Sequence, residues 1–159
     1  MRKAKKTAMR KAKKTAKILG VCISDKKGIP KTNVGKANLI ENHGVENDAH
    51  AGLEGFEKRQ VSLIGIETHK KMKELGIDVK IGDFAENICT EGVILHELPV
   101  GTKMYIGNVE LEITQIGKEC HTACAIRKKV GDCPMPREGI FAKVVTGGEI
   151  SVDDTIEIL

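Results

Sequence analysis

Three of the five cysteines, Cys120, Cys124 and Cys133, fall within fourteen residues of one another, in a stretch that also holds His121, Arg127, Lys128, Lys129 and Arg137. The thiolate is the form of cysteine that attacks sulfur and binds soft metals, and nearby cations favour it by lowering the thiol pKa. Cys133 has the most suggestive setting, preceded by Gly131-Asp132 and followed by Pro134 and Pro136. A proline has no N–H and a fixed φ, so Cys133 is expected on a stiff loop that neither continues a helix nor joins a central strand. Such a loop can keep a thiol exposed. Cys120 and Cys124 are four apart on a short helix predicted over Cys120–Lys129, and packing residues are an equally good reading of them.

An odd number of cysteines, three of them clustered, fits reactive or metal-binding thiols better than a disulfide framework. Zinc held by Cys120, His121, Cys124 and Cys133 is the first metal to consider. The spacing is poor for it, because zinc ligands come as two short-spaced pairs and Cys133 has no close neighbour. His50, two residues from Asp48, reads either as an oriented acid–base or ligand pair or as an ordinary hydrogen-bonded loop histidine. His43, His69 and His96 read as structural or solvated. Arg59, Glu86 and Asn87 are isolated polar residues at strand edges, which spacing alone would leave as ordinary surface. Phosphate-cradling loops, dinucleotide fingerprints, nucleophile elbows and metalloprotease motifs are absent from the sequence.

The elements that must position these residues are mostly strands. Lys17–Ser24 is a β-branched run ended by Asp25–Gly28 and Pro30, and it places Cys22 in the core. From Pro30 to Lys58 no period is sustained, and long loops are predicted. Arg59–Ile64 reads as a strand leading into an amphipathic helix over Gly65–Leu75, with Ile66, His69, Met72 and Leu75 on one face and Gly76 closing it. Phe84–Cys89 is a further predicted strand. Thr102–Ile106 and Val109–Ile116 flank Gly107-Asn108, and Val109, Leu111 and Ile113 alternate with Glu110, Glu112 and Thr114, the pattern of a tight hairpin. Gly139–Thr146 and Thr155–Leu159 are predicted as closing strands. Short strands with frequent turns and few helices indicate a mainly β barrel or sandwich.

The net charge of +4 misleads about partners. Eight of the 26 Lys and Arg residues lie in residues 1–16, which hold no acid, so the body carries 18 basic against 22 acidic residues. A mildly acidic body argues against nucleic acid as a partner. Residues 1–16 are the octapeptide MRKAKKTA written twice, and they read as a duplicated, solvated basic tail outside the fold. With neither a long apolar run nor the apolar middle of a secretory signal, the chain is expected to be soluble, cytoplasmic and independent of membranes.

Several stretches, taken in order, carry a resemblance: Asn47–Gly52, Arg59–Leu63, Gly82–Ile88, Leu98–Gly101 through Ile106-Gly107, the Cys120/Cys124 pair, and Cys133 followed by Gly139–Ala142. Over Lys17–Leu159 they resemble the MOSC family, the domain found at the C-terminus of molybdenum-cofactor sulfurases. The resemblance implies a β-barrel domain over residues 17–159 with a few short helices. It also implies that Cys133 carries persulfide sulfur or ligates molybdenum in cofactor sulfuration or metal–sulfur assembly. The implied cofactor is the molybdenum cofactor, molybdopterin, with Arg59, Arg127 and Arg137 toward its phosphate and His50, Glu86 and Asn87 toward the heterocycle. A cysteine desulfurase or molybdenum-cofactor enzymes are the implied partners, as sulfur donor or acceptor.

The chain is similar to the short stand-alone members. No pyridoxal phosphate site is visible, so that chemistry would belong to a partner. The pair is CxxxC here where some relatives have CxxC, and no shared role is carried over to Cys120 and Cys124. Sulfur transfer, molybdenum-dependent reduction of N-hydroxylated compounds, and non-catalytic cofactor binding all stay open, so whether the chain is an enzyme is open too.

Overall fold

The computed structural model describes residues 12–117 and 134–159. Side-chain alternation sets its architecture. In β8 (Val109–Ile116), Val109, Leu111 and Ile113 are buried while Glu110, Glu112 and Thr114 are partly exposed. Its hairpin partner β7 (Lys103–Ile106) pairs across Gly107-Asn108 with Ile106 opposite Val109, and Gly107 has the positive φ that a two-residue turn requires.

Around this hairpin run β1 (Lys14–Ile23), β5 (Val61–Gly65), β6 (Ile88–Glu91), β9 (Ile140–Thr146) and β11 (Thr155–Ile158), in the order β11-β7-β8-β9-β5-β6-β1. A further pairing between β1 and β11 closes these seven strands into a barrel, which leaves no free edge. Inside it, Ile18, Leu63, Ile88, Met104, Leu111 and Ile113 are fully buried. Every pairing around the barrel is antiparallel except β5–β6. A parallel pair needs a long crossover, and this one contains α1 (Ile66–Glu74). Helix α1 covers the outer face of the barrel there, so every residue of β5 is buried, and Ile64, Met72, Phe84 and Phe141 form a second small core. A short α2 (Met135–Glu138) precedes β9.

The expected barrel, hairpin and α1 are all present, and Cys22 is fully buried, its thiol pushed up to about 12, chiefly by burial and then by the Glu86 charge. Leu75, expected on the apolar face of the helix, is instead exposed just past its end. Three differences have physical causes. The stretch expected as loops holds β2 (Thr32–Asn33), β3 (Lys36–Ile40) and β4 (Gly44–Val45). Strand β2 pairs antiparallel with the end of β1, while β3 lies between β4 and the distant β10 (Gly148–Ser151), so its pairing is invisible to local pattern. The strand expected from Phe84 begins only at Ile88, because residues 82–85 form a turn with Ala85 at φ +62°. Finally, β1 begins at Lys14, with Ala16 buried and opposite Ile156. The boundary drawn between residues 16 and 17 therefore falls inside a strand, and the last three residues of the repeated octapeptide belong to the barrel. The predicted helix over Cys120–Lys129 lies outside the described residues.

Candidate functional site

A cavity of about 260 Å³ lies beside β5 and β9, with His50, Phe56, Arg59, Lys27, Asn87 and Phe141 among its walls. The half-buried Phe56 organises its mouth. The His50 ring stacks on Phe56 at 5.5 Å between centroids, and the Arg59 guanidinium lies 4.3 Å from the same centroid, with the Lys27 ammonium at 5.6 Å. A flat aromatic surface flanked by cations is suited to a planar, electron-rich or anionic ligand.

Beneath the mouth, the charges are dry. Lys31 Nζ lies 2.7 Å from Asp48 Oδ1, both side chains fully buried, and is also 3.2 Å from Ser24 Oγ and 3.2 Å from His50 Nδ1. Asp48 further accepts the backbone N–H groups of Ser24 and His50. Burial works against ionising Asp48, but the hydrogen bonds and positive charge around it outweigh that and hold the carboxyl well below the usual range. At Lys31 burial wins and its pKa is lowered, the bond and charge of Asp48 offsetting only part of the loss of water. The 2.7 Å separation is that of an ionised pair. An ammonium can only donate, so its contact makes Nδ1 of His50 the acceptor and leaves the ring proton on Nε2.

Asn87 is largely spent on the framework. Its side-chain carbonyl accepts the N–H and O–H of Ser62, and its amide donates to the Cys22 carbonyl, which braces β5 against the start of β6. Glu86 lies fully buried and is not in the cavity wall. It accepts the N–H groups of Gly82 and Phe84 and faces His69 Nε2 at 3.0 Å, off the line of a ring N–H bond. Burial favours a neutral His69, but the Glu86 carboxylate and backbone carbonyls outweigh it and raise its pKa.

Gly82 links these two layers. Its N–H goes to Glu86, its carbonyl accepts from Lys31 N at 2.8 Å, and at φ +97° a Cβ would lie 2.1 Å from the Lys31 carbonyl oxygen. Backbone on that side cannot yield without displacing Lys31. Gly82→Ala is expected to cost about 1–3 kcal/mol, read as a lower urea midpoint with unchanged slope.

Of the residues singled out in the sequence, the fold brings His50, Arg59 and Asn87 to one cavity. Glu86 lies apart from it in the core, and Arg137 is exposed on α2 and not in the cavity wall. Cys133 and Arg127 lie outside the described residues, as do Cys120, His121 and Cys124. Asp48 does partner His50, but with Lys31 between them. Lys31, Lys27 and Phe56 carried no signal of their own; Phe56 is one of only three phenylalanines, and its place between His50 and Arg59 was the available hint.

A second cavity, of about 240 Å³, lies between α1 and residues 93–97. Its one lysine, Lys71, is held 2.6 Å from Glu138, and no aromatic carbocycle lines it. It offers no comparable platform.

A closed seven-stranded barrel with one parallel pair, carrying an aromatic and cationic cavity on its flank, defines a β-barrel domain with a candidate ligand cavity. The chain belongs to the MOSC domain family, whose model matches residues 43–157, and that family is associated with the molybdenum cofactor. Among solved structures it is similar to the YuaD protein of Bacillus subtilis, at 20% identity over 91% of this chain and 95% of that one, with a TM-score of 0.74. It is similar too to YiiM of Geobacillus stearothermophilus, at 16% identity, 91% and 75% coverage and a TM-score of 0.69. YiiM of Escherichia coli aligns at 16% identity over 91% of this chain and 68% of that one, with a TM-score of 0.59. No curated protein matches the sequence. Among the described residues, no helix is long and apolar enough to cross a membrane.

Proposed function

We propose that this chain binds the molybdenum cofactor in the Phe56 cavity and handles sulfur or molybdenum through Cys133. The observation that carries the reading is the gathering of His50, Arg59 and Lys27 around the Phe56 ring in one cavity wall. The residues fit such a group. Phe56 and Phe141 offer aromatic surface in the wall for the flat heterocycle, His50 Nε2–H a donor, and Arg59 with Lys27 a cationic seat for phosphate. When bound, the cofactor would supply a soft molybdenum centre, which matches thiolate chemistry.

The chain's own contribution is positioning. The buried Lys31–Asp48 pair fixes the His50 tautomer, and Asn87 holds the cavity floor. As a carrier, the Cys133 thiolate would take the outer sulfur of a persulfide donor R–S–SH, forming Cys133–S–SH and releasing R–S⁻. A cysteine desulfurase is the fitting donor, and a molybdenum-cofactor enzyme the fitting acceptor.

The test is retention of molybdenum and pterin by protein purified from cells that make the cofactor. Phe56→Ala and Arg59→Ala are each expected to retain less than about a tenth of the wild-type amount, the effect of losing about 1.4 kcal/mol of binding. Arg59→Lys is expected to fall in between, since it keeps the charge and loses the planar fork. Wild-type levels in both alanine variants would remove the cavity from the account.

A further inference from the structure

His69, Glu86 and Cys89 take no part in the proposed cofactor binding, and they meet in the dry space between α1 and the start of β6. Their ligand-type atoms, an imidazole nitrogen, a carboxylate oxygen and a thiol sulfur, all lie within 4.8 Å of one another, and all three residues are buried. The ring's other nitrogen, Nδ1, faces the Gly65 carbonyl at 3.4 Å. A carbonyl can only accept, so Nδ1 carries a proton and Nε2 is left to face Glu86 Oε2 at 3.0 Å, without an aligned hydrogen bond. Two lone pairs at that distance, away from water, repel unless a positive charge lies between them. A second ring proton is the minimal solution. It gives no reason for a cysteine to complete the triangle.

We propose that His69 Nε2, Glu86 and the Cys89 thiolate form a buried site for a divalent transition metal of the zinc class. Bonds of about 2.0–2.1 Å to nitrogen and oxygen and about 2.3 Å to sulfur put tetrahedral nitrogen and oxygen about 3.3 Å apart and sulfur about 3.6 Å from either, so the His69–Glu86 edge at 3.0 Å has to open slightly and the sulfur to draw in by about 1.2 Å at most. The mixed N/O/S set suits zinc or cobalt over magnesium or calcium. The surroundings are those of a metal ligand set. The Gly65 carbonyl orients the imidazole, and the Gly82 and Phe84 amides hold the carboxylate while leaving it a lone pair. A metal here would pin α1, which bears His69, to the end of the crossover that returns the chain to β6. The site shares no ligand with the Phe56 cavity, although Phe84 lines that cavity and packs against the His69 ring.

The cysteines near residue 120 could also hold zinc, so the test uses full-length protein with Cys120, Cys124 and Cys133 all changed to Ser. Refolded with Zn²⁺ or Co²⁺ and passed over a weak chelator, it is expected to keep about one ion per chain. The cobalt form is expected to show a thiolate-to-metal charge-transfer band, and X-ray absorption of the zinc form to show one sulfur per ion. Cys89→Ala and His69→Gln in that background are expected to lose the band and the stoichiometric ion. Should either variant fail to fold, the unaltered background still decides: no stoichiometric ion, or an ion with no sulfur neighbour, overturns the site. So does undiminished retention by folded Cys89→Ala.

Discussion

Cys133→Ala protein, incubated with molybdenum cofactor and with a persulfide donor, is expected to retain molybdenum and sulfane sulfur at least about tenfold less than wild type, a loss of about 1.4 kcal/mol or more. Cys120→Ser and Cys124→Ser are expected to retain both. Elemental molybdenum reports the ligand role, and thiocyanate released by cyanide reports the carrier role, so the two readings separate in one preparation. The expectation rests on the thiol's setting among Arg127, Lys128, Lys129 and Arg137 and between glycine and proline. The frame around that segment is fixed at both ends. Gly117 N–H donates to the Gly139 carbonyl at 2.7 Å, and Glu138 is gripped at 2.6 Å by both Thr68 and Lys71 of α1. Equal retention by Cys133→Ala would refute the role assigned to this cysteine.

The largest expected loss of stability comes from Asp48→Asn. It strips the anion from a fully buried Lys31 and leaves the ammonium with the Ser24 hydroxyl and His50 ring alone. Removing one partner of a buried ion pair costs about 3–5 kcal/mol, because the remaining charge is uncompensated. Urea unfolding at neutral pH is expected to show that loss. The difference has a pH signature of definite sign. Asp48's pKa is depressed in the folded state, so its contribution is present above the ordinary carboxylate pKa of about 3.9 and is lost as pH falls further. Wild type and variant should therefore converge in acid. A gap that stays constant down to pH 3 would mean that the carboxylate charge is not what stabilises this layer.

The hairpin at Gly107-Asn108 was legible because everything that specifies it is local: alternation on both sides and a turn pair between. The β10-β3-β4 sheet was not, since Gly148 meets Leu39 across most of the chain and β3 alternates only weakly. The same distinction runs through the site. His50 and Asp48 are neighbours in sequence and are legible as a pair. Lys31 is not, because nothing near residue 31 says that it will be buried beside residue 48. Arg59, Asn87 and Glu86 came from the family resemblance, which identifies positions but not the directions of side chains. Two of them reached the cavity, and Glu86 turned inward to His69.

The closure of the barrel bears on how the protein acquires its structure. The seam that completes it joins residues as far apart in the chain as Lys14 and Ile158. Loop-closure entropy must be met before that seam returns any hydrogen bonds, so β1 and β11 are late partners in folding and the whole domain folds slowly for its size. Until they meet, β11 and β1 each present an open strand edge to other chains. Exposed Lys13, Lys14 and Lys17 place like charges along one of those edges, where mutual repulsion disfavours the pairing of incomplete barrels with one another.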